Sequence, residues 1–263
     1  MSILVKDFVN IISEMIPARL AEDWDNVGLQ VGRSEKEVKV ILCALDFSRE
    51  VMEQAVQLHA DIIVTHHPAI FRGIKQFTDV DWRVSLLLEA ARKDIAVYSA
   101  HTNLDSVAGG VNDVLANLLG LQNVEGLTGE DTLEGIGRIG VLKDTLALDV
   151  FAEKVKTALR LTHITVVPAG RPVRKVAVCG GSGMDFLDCA LRAGADTYVT
   201  GDVKYHDAQE ARGKRINLID ATHQGTELPV MNELADRLAL RLSREGYTAK
   251  VLVAKETKLL QIV

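Results

Sequence analysis

Residues 39–105 and 175–227 carry the same pattern twice, and this repeat restricts the fold more than any other feature of the chain. Lys39, Val40 and Cys43 recur as Lys175, Val176 and Cys179 at an offset of 136. After one gap, Ala55, Ala60, Asp61, Val64 and Thr65 recur as Ala190, Ala195, Asp196, Val199 and Thr200 at an offset of 135. Each copy then reaches a strand that ends in a histidine followed four residues on by a carboxylate: Ala100-His101 with Asp105, and Thr222-His223 with Glu227. A period this long lies far outside the few tens of residues of a solenoid repeat, so it reads as a duplicated unit.

Within each copy, apolar strand-like runs alternate with helical patterns, the order expected of an α/β fold with largely parallel pairing. Val38 to Phe47, Asp61 to Thr65 and Ile95 to Ala100 read as buried strands, with helices over Arg49 to His59 and Trp82 to Lys93. The second half continues with helices over Leu148 to Leu161 and Pro229 to Glu245 and a strand near Thr165 to Val167. The expectation is two similar α/β halves, 1–125 and 126–263, with the break near Leu121 to Leu133, where Gly126, Gly129, Glu130 and Asp131 interrupt the periodicity. The tail Ala249 to Ala254 reads as a last strand that can rejoin the first sheet.

With 263 residues and 48% hydrophobic content, the chain can bury a large core and accommodate two compact units. A net charge of -6, a pI near 5.7 and the lack of a Lys/Arg-rich run argue against a broad nucleic-acid footprint. No apolar run approaches the roughly 20 residues of a membrane span. The apolar stripe Ile3, Val5, Phe8, Ile11, Ile12 and Met15 has Asp7 and Glu14 among it, unlike a secretory signal. Cys43, Cys179 and Cys189 lack a C-x-x-C spacing and read as reduced packing residues of a cytoplasmic protein.

Three clusters of metal-ligand type follow strand ends: His66 with His67, His101 with Asp105, and His223 with Glu227. In open α/β sheets, ligands bind beyond the carboxyl ends of strands, where loops converge. Adjacent residues of an extended segment point to opposite faces, so the doublet His66-His67 suits two neighbouring ions better than one. Four imidazoles and two carboxylates fit a pair of divalent ions, zinc, iron or manganese, rather than the all-oxygen cage that calcium prefers. The expected place for this centre is the crevice between the halves. A carboxylate, Asp105 or Glu227, is expected to bridge the ions, since both its oxygens can accept a metal; the sequence leaves the choice open. His206 is the candidate proton shuttle, because imidazole is the side chain suited to exchanging protons at neutral pH, with a surface helix-start residue as the alternative. The Gly180-Gly181-Ser182-Gly183 run lacks the Lys-Ser/Thr ending of a P-loop and reads as a tight turn.

The segments Trp24-Asp25-Asn26-Val27-Gly28-Leu29, Val64-Thr65-His66-His67-Pro68, Ser99-Ala100-His101-Thr102-Asn103-Leu104-Asp105, Tyr198-Val199-Thr200-Gly201-Asp202 and Asp220-Ala221-Thr222-His223-Gln224-Gly225-Thr226-Glu227 resemble, in order and over nearly the whole chain, those of the YbgI/Nif-three-like family, whose members are often labelled homologues of GTP cyclohydrolase 1 type 2. The resemblance implies a dinuclear metal protein held by the same six residues and assembled as a toroidal homohexamer, a trimer of dimers. It also places Asp25 near the site, as a candidate catalytic or supporting residue. One departure is Thr222, where the family usually has glycine. The implied chemistry is hydrolysis of a nucleotide or other heterocyclic substrate by water activated on the ions, because a divalent ion lowers the pKa of bound water from 15.7 toward about 7. The alternative is a non-catalytic metal-binding, metal-delivery or regulatory protein that acts through partners.

Overall fold

The computed structural model describes residues 1–128 and 134–261; Gly129, Glu130 and Asp131 of the expected break lie outside them. In chain order the elements are β1 (Ile3–Leu4), α1 (Val5–Met15), β2 (Gly28–Val31), β3 (Glu37–Val38), β4 (Val40–Ala44), α2 (Arg49–Gln57), β5 (Ile62–Thr65), α3 (Trp82–Arg92), β6 (Ala96–Ser99) and α4 (Thr102–Ser106). The chain continues through α5 (Val111–Leu119), β7 (Gln122–Gly126), β8 (Arg138–Leu146), α6 (Leu148–Ala158), β9 (Thr165–Val167), β10 (Val173–Val178) and α7 (Leu187–Arg192). It closes with β11 (Thr197–Thr200), α8 (Tyr205–Gly213), β12 (Asn217–Asp220), α9 (His223–Glu227), α10 (Val230–Arg244) and β13 (Lys250–Val253). Among the described residues, no helix is long and apolar enough to cross a membrane.

Two compact units result, one of Met1–Leu104 with Met231–Val263 and the other of Asp105–Val230. This corrects the expected halves, 1–125 and 126–263, at both ends. Residues 122–126 form β7, which pairs antiparallel with β8 and so joins the second sheet. The C-terminal residues return to the first sheet as β13, which lies parallel to β4 with Val251 opposite Ile41.

The first unit is built on a five-stranded sheet in the order β13-β4-β5-β6-β2, parallel except for β2, which runs antiparallel to β6. Its central strands β5 and β6 are buried along their whole length, as parallel strands covered on both faces must be. One core cluster joins Leu42, Ile63 and Val97 of the sheet to Val51, Met52 and Leu86 of the helices. Ser48 caps α2 and Asp81 caps α3, each accepting from backbone N–H groups of the first turn, the arrangement that fixes where a helix starts. In the register of the sheet, Ala44 lies opposite Thr65 and Thr65 opposite Ser99. The residues that follow these three, Leu45-Asp46, His66-His67 and Ala100-His101, therefore leave the sheet side by side.

The second unit has a six-stranded sheet in the order β7-β8-β10-β11-β12-β9, with β10, β11 and β12 parallel and β8 and β9 antiparallel to their neighbours. Leu115, Phe151, Val176, Val199 and Ile219 form the cluster on one face, and Ile139, Ala177, Tyr198 and Leu218 form that on the other. The duplication persists in detail. Oδ2 of Asp61 accepts from the backbone N–H groups of Lys39 and Val40 at 2.8 and 3.1 Å. Oδ2 of its counterpart Asp196 accepts from those of Arg174 and Lys175 at 2.9 and 2.7 Å.

Candidate metal centre

In the first unit the backbone carries the histidines directly off the strand ends. The N–H groups of His66 and His67 donate to the carbonyls of Ala44 and Leu45 at 3.1 and 2.9 Å, which extends the β4–β5 ladder through the doublet. His66 is fully buried, and its Nδ1 lies 2.9 Å from the carbonyl oxygen of Ala100. A carbonyl can only accept, so Nδ1 carries the proton and the lone pair is on Nε2. His67 Nδ1 lies 2.8 Å from Oδ1 of Asp46, and His101 Nδ1 lies 2.9 Å from Oδ1 of Asp25. One potential ligand atom from each of His66, His67 and His101 falls within 4.8 Å of the others, a group that could hold a metal ion.

Asp25 is fixed from several sides. Its Oδ2 accepts from the backbone N–H and the hydroxyl of Thr102 at 3.0 and 2.5 Å. Burial pushes its carboxyl up, but the bonds from His101 and Thr102 outweigh this and hold it well below the usual carboxylate range. A carboxylate kept ionised and saturated in this way is poorly placed to deliver a proton. Of the two roles expected for Asp25, catalytic or supporting, these contacts are those of a supporting residue that orients His101.

The second unit holds Asp105, His223 and Glu227. His223 and Glu227 open and close the single turn of α9, the i,i+4 spacing that stacks side chains on one helix face. His223 Nε2 lies 3.1 Å from Glu227 Oε2, and its Nδ1 lies 2.7 Å from Oδ2 of Asp202. Thr222, before this turn, has φ 63 and ψ 151, and its side chain caps α9 by accepting from the N–H of Gly225. That backbone conformation is the one glycine normally occupies. Thr222 thus carries backbone strain directly beside His223.

Glycines make room for Glu227. A Cβ on Gly181, which has φ +65, would stand 2.1 Å from Glu227 Oε1, and one on Gly180 would stand 3.4 Å from its Cγ. The N–H of Gly180 donates to Oδ1 of the buried Asn112 and that of Gly181 to the hydroxyl of Thr226, both at 2.9 Å. The Gly180 to Gly183 run is therefore a packed turn backing the carboxylate. Asn112 also donates to the carbonyl of Asp105 at 3.0 Å, and the fully buried Arg138 reaches the carbonyls of Ser106 and Val107. Burial pushes the Cys179 thiol up, and the charges of Asp105 and Glu227 push it further in the same direction.

Among the described residues, His206 belongs to none of the groups that could hold a metal ion. It is exposed at the start of α8, with Nδ1 3.0 Å from Oε1 of Gln209 and its ring against Tyr205. These are the contacts of a surface helix-start residue, the alternative reading of this position. Asp46, Asp202 and Asn112 were not singled out by sequence reasoning. Asp202 carried a signal, since it lies in a motif quoted for the resemblance and replaces His67 in the repeat. Asp46 and Asn112 carried none.

The donor set fits a transition-metal or zinc ion: imidazole nitrogens whose other nitrogen is already hydrogen-bonded to a carboxylate or carbonyl, plus carboxylates. The family model described as Duf34/NIF3 (NGG1p interacting factor 3) matches residues 3–258. The GTP cyclohydrolase 1 type 2 homolog of Clostridium acetobutylicum is 35% identical over 97% of both chains. Among solved structures, the Staphylococcus aureus hypothetical protein SA1388 superposes with a TM-score of 0.94 at 27% identity, covering 99% of each chain. A Bacillus cereus protein related to NIF3 does so with a TM-score of 0.93 at 26% identity, again over 99% of each.

Proposed function

Because the chain belongs to the Duf34/NIF3 (NGG1p interacting factor 3) family, we propose that it is a metal-dependent hydrolase acting on a nucleotide or other heterocyclic substrate. In this reading His66, His67, His101, Asp105, His223 and Glu227 hold a pair of divalent ions, zinc, iron or manganese. One observation carries it. Each of the four imidazoles has its Nδ1 beside an oxygen acceptor, namely Ala100, Asp46, Asp25 and Asp202 for His66, His67, His101 and His223. Nε2 is thereby left as the coordinating atom in every case, and ring orientation is set before an ion arrives.

Bound ions would lower the pKa of a coordinated water toward neutrality and polarise the bond under attack. The chain supplies the rest. Asp25, Asp46 and Asp202 fix the orientation of the imidazoles they touch, and the Gly180-Gly181 turn leaves Glu227 its space. His223, whose side chain is 36% exposed, keeps one side of the ligand set within reach of a substrate. The reading includes a toroidal homohexamer, a trimer of dimers, in the cytoplasm, which light scattering and fractionation test.

The deciding experiment joins metal analysis of the purified protein to a turnover screen over nucleotides and related cyclic amides, with a His66→Ala, His223→Ala double variant alongside. We expect the variant to lose both metal and turnover. Turnover that survives loss of metal would overturn the proposal, and metal retained without any turnover would favour the delivery or regulatory alternative.

A further inference from the structure

Two aromatic side chains stand exposed beside His101. Trp24 is 59% and Phe71 49% exposed, although large aromatic groups ordinarily supply much of the buried area of a core. Their ring centroids are 5.8 Å apart with planes at 68°. The His101 ring lies 6.0 Å from Trp24 at 75° and 6.3 Å from Phe71 at 81°. Three rings that meet nearly at right angles form an inside corner, with Trp24 and Phe71 as walls.

This corner is braced. Both backbone groups of Ile70, the residue before Phe71, are taken by side chains of the segment that carries Trp24: Asn26 Nδ2 donates to the Ile70 carbonyl at 2.5 Å, and the Ile70 N–H donates to Gln30 Oε1 at 2.8 Å. Gln30 Nε2 in turn donates to the Asn26 carbonyl at 2.6 Å. On the other side, Asp25 and the N–H of Glu22 fasten the same segment to His101 and Thr102. Bracing of the backbone that carries both rings lowers the ordering cost when something flat is laid against them, which favours a binding surface. Phe71 also lines, with Pro68, Ile70, Arg72 and Lys75, a cavity of about 810 Å³, space in which the remainder of a ligand could lie.

We infer that Trp24 and Phe71 seat a planar heteroaromatic ring of the substrate next to His101. Stacking suits such a ring because its π-face is attracted to another whatever its substituents, whereas a saturated sugar or an aliphatic chain offers no such face. The inference rests on the hydrolase reading for its substrate class, and its test separates the two.

The chain has two tryptophans, so a Trp82→Phe variant leaves Trp24 as the only reporter. Its fluorescence is titrated with the 5′-monophosphates of guanosine, adenosine and uridine and with ribose 5-phosphate, on protein whose metal content is measured. We expect saturable quenching by at least one nucleotide and none by ribose 5-phosphate. Phe71→Leu should raise Kd about tenfold and Phe71→Tyr should restore it; metal content and oligomeric state should stay those of the parent. No quenching by any nucleotide, or a Kd indifferent to Phe71→Leu, would overturn the inference. So would a change of assembly at constant Kd, which would assign the rings to a contact between subunits. Protein that binds through Phe71 yet takes up no divalent ion and turns over no nucleotide would leave this inference standing and remove the hydrolase reading; metal-loaded protein that hydrolyses substrate while ignoring Phe71 would do the reverse.

Discussion

Asp202 stands where the duplicated sequence places His67, and its Oδ2 lies 2.7 Å from Nδ1 of His223. One copy uses this position to add an imidazole, the other to orient one. The reason the doublet is not repeated lies next door. A Cβ on Gly201, the counterpart of His66, would stand 2.6 Å from the backbone nitrogen of His223, so a histidine there would displace the turn that begins α9.

The orienting carboxylates give the first prediction. Asp25→Asn and Asp202→Asn should each lower metal affinity by about 10- to 100-fold, because partners of ligand histidines set ring orientation and basicity. Competition against a chromogenic chelator measures this. Unchanged affinity in both variants would remove the role given to these residues.

Gly181 separates backbone strain from collision. Gly194→Ala, at φ +79 with nothing within 4 Å of its Cβ, should cost only the left-handed penalty of about 1–2 kcal/mol. Gly181→Ala meets the Glu227 carboxylate as well, and overpacking adds about 1–3 kcal/mol. Denaturant melts should rank Gly181→Ala below Gly194→Ala, and metal content should fall only in the former. Equal losses of stability, with metal retained, would refute this.

Much of this arrangement was legible in the sequence. The strands near 40–44, 62–65 and 96–99 and the helices between them follow from runs of β-branched residues and helical spacing, and β13 does rejoin the first sheet. Every histidine assigned to a cluster also lies just past a strand end. What stayed hidden depends on contacts distant in sequence. The short antiparallel edge strand β7 carries little periodicity, so its membership of the second sheet did not show in the sequence. Asp46 and Asn112 are ordinary polar residues in sequence, and only the folded chain brings them to His67 and to Asp105 and Gly180.

Thr222 sets two effects against each other. Thr222→Ala removes the cap bond to Gly225 and keeps a β-carbon in a glycine conformation, so it should destabilise by about 1 kcal/mol. Thr222→Gly loses the same cap bond, at a cost of about a few tenths of a kcal/mol for glycine, relieves strain of about 1–3 kcal/mol and gives back about 0.5–1 kcal/mol through chain entropy. The glycine variant should therefore match or exceed the parent in thermal melts and the alanine variant fall below it. A glycine variant that melts below the parent would show that the cap, lost in both variants, outweighs the strain.

Burial predicts the behaviour of the thiols. The Cys43 thiol is pushed up to about 12, so at pH 8 only about one molecule in ten thousand carries its thiolate, the reactive form. Raising the pH toward 12 increases that fraction tenfold per unit. Cys179 is buried and also pushed up, whereas Cys189 is half-buried. A disulfide reagent at pH 8 should label Cys189 first in the native protein and reach Cys43 and Cys179 only on unfolding. Rapid native labelling of Cys43 would contradict the packing described.

Elemental analysis of the purified and reconstituted protein tests the central claim most directly. The account predicts two divalent ions per chain, lost together from the His66→Ala, His223→Ala variant while its circular dichroism remains that of the parent. A parent chain that takes up no divalent ion from zinc, iron or manganese, or a folded double variant that still holds two, would contradict it.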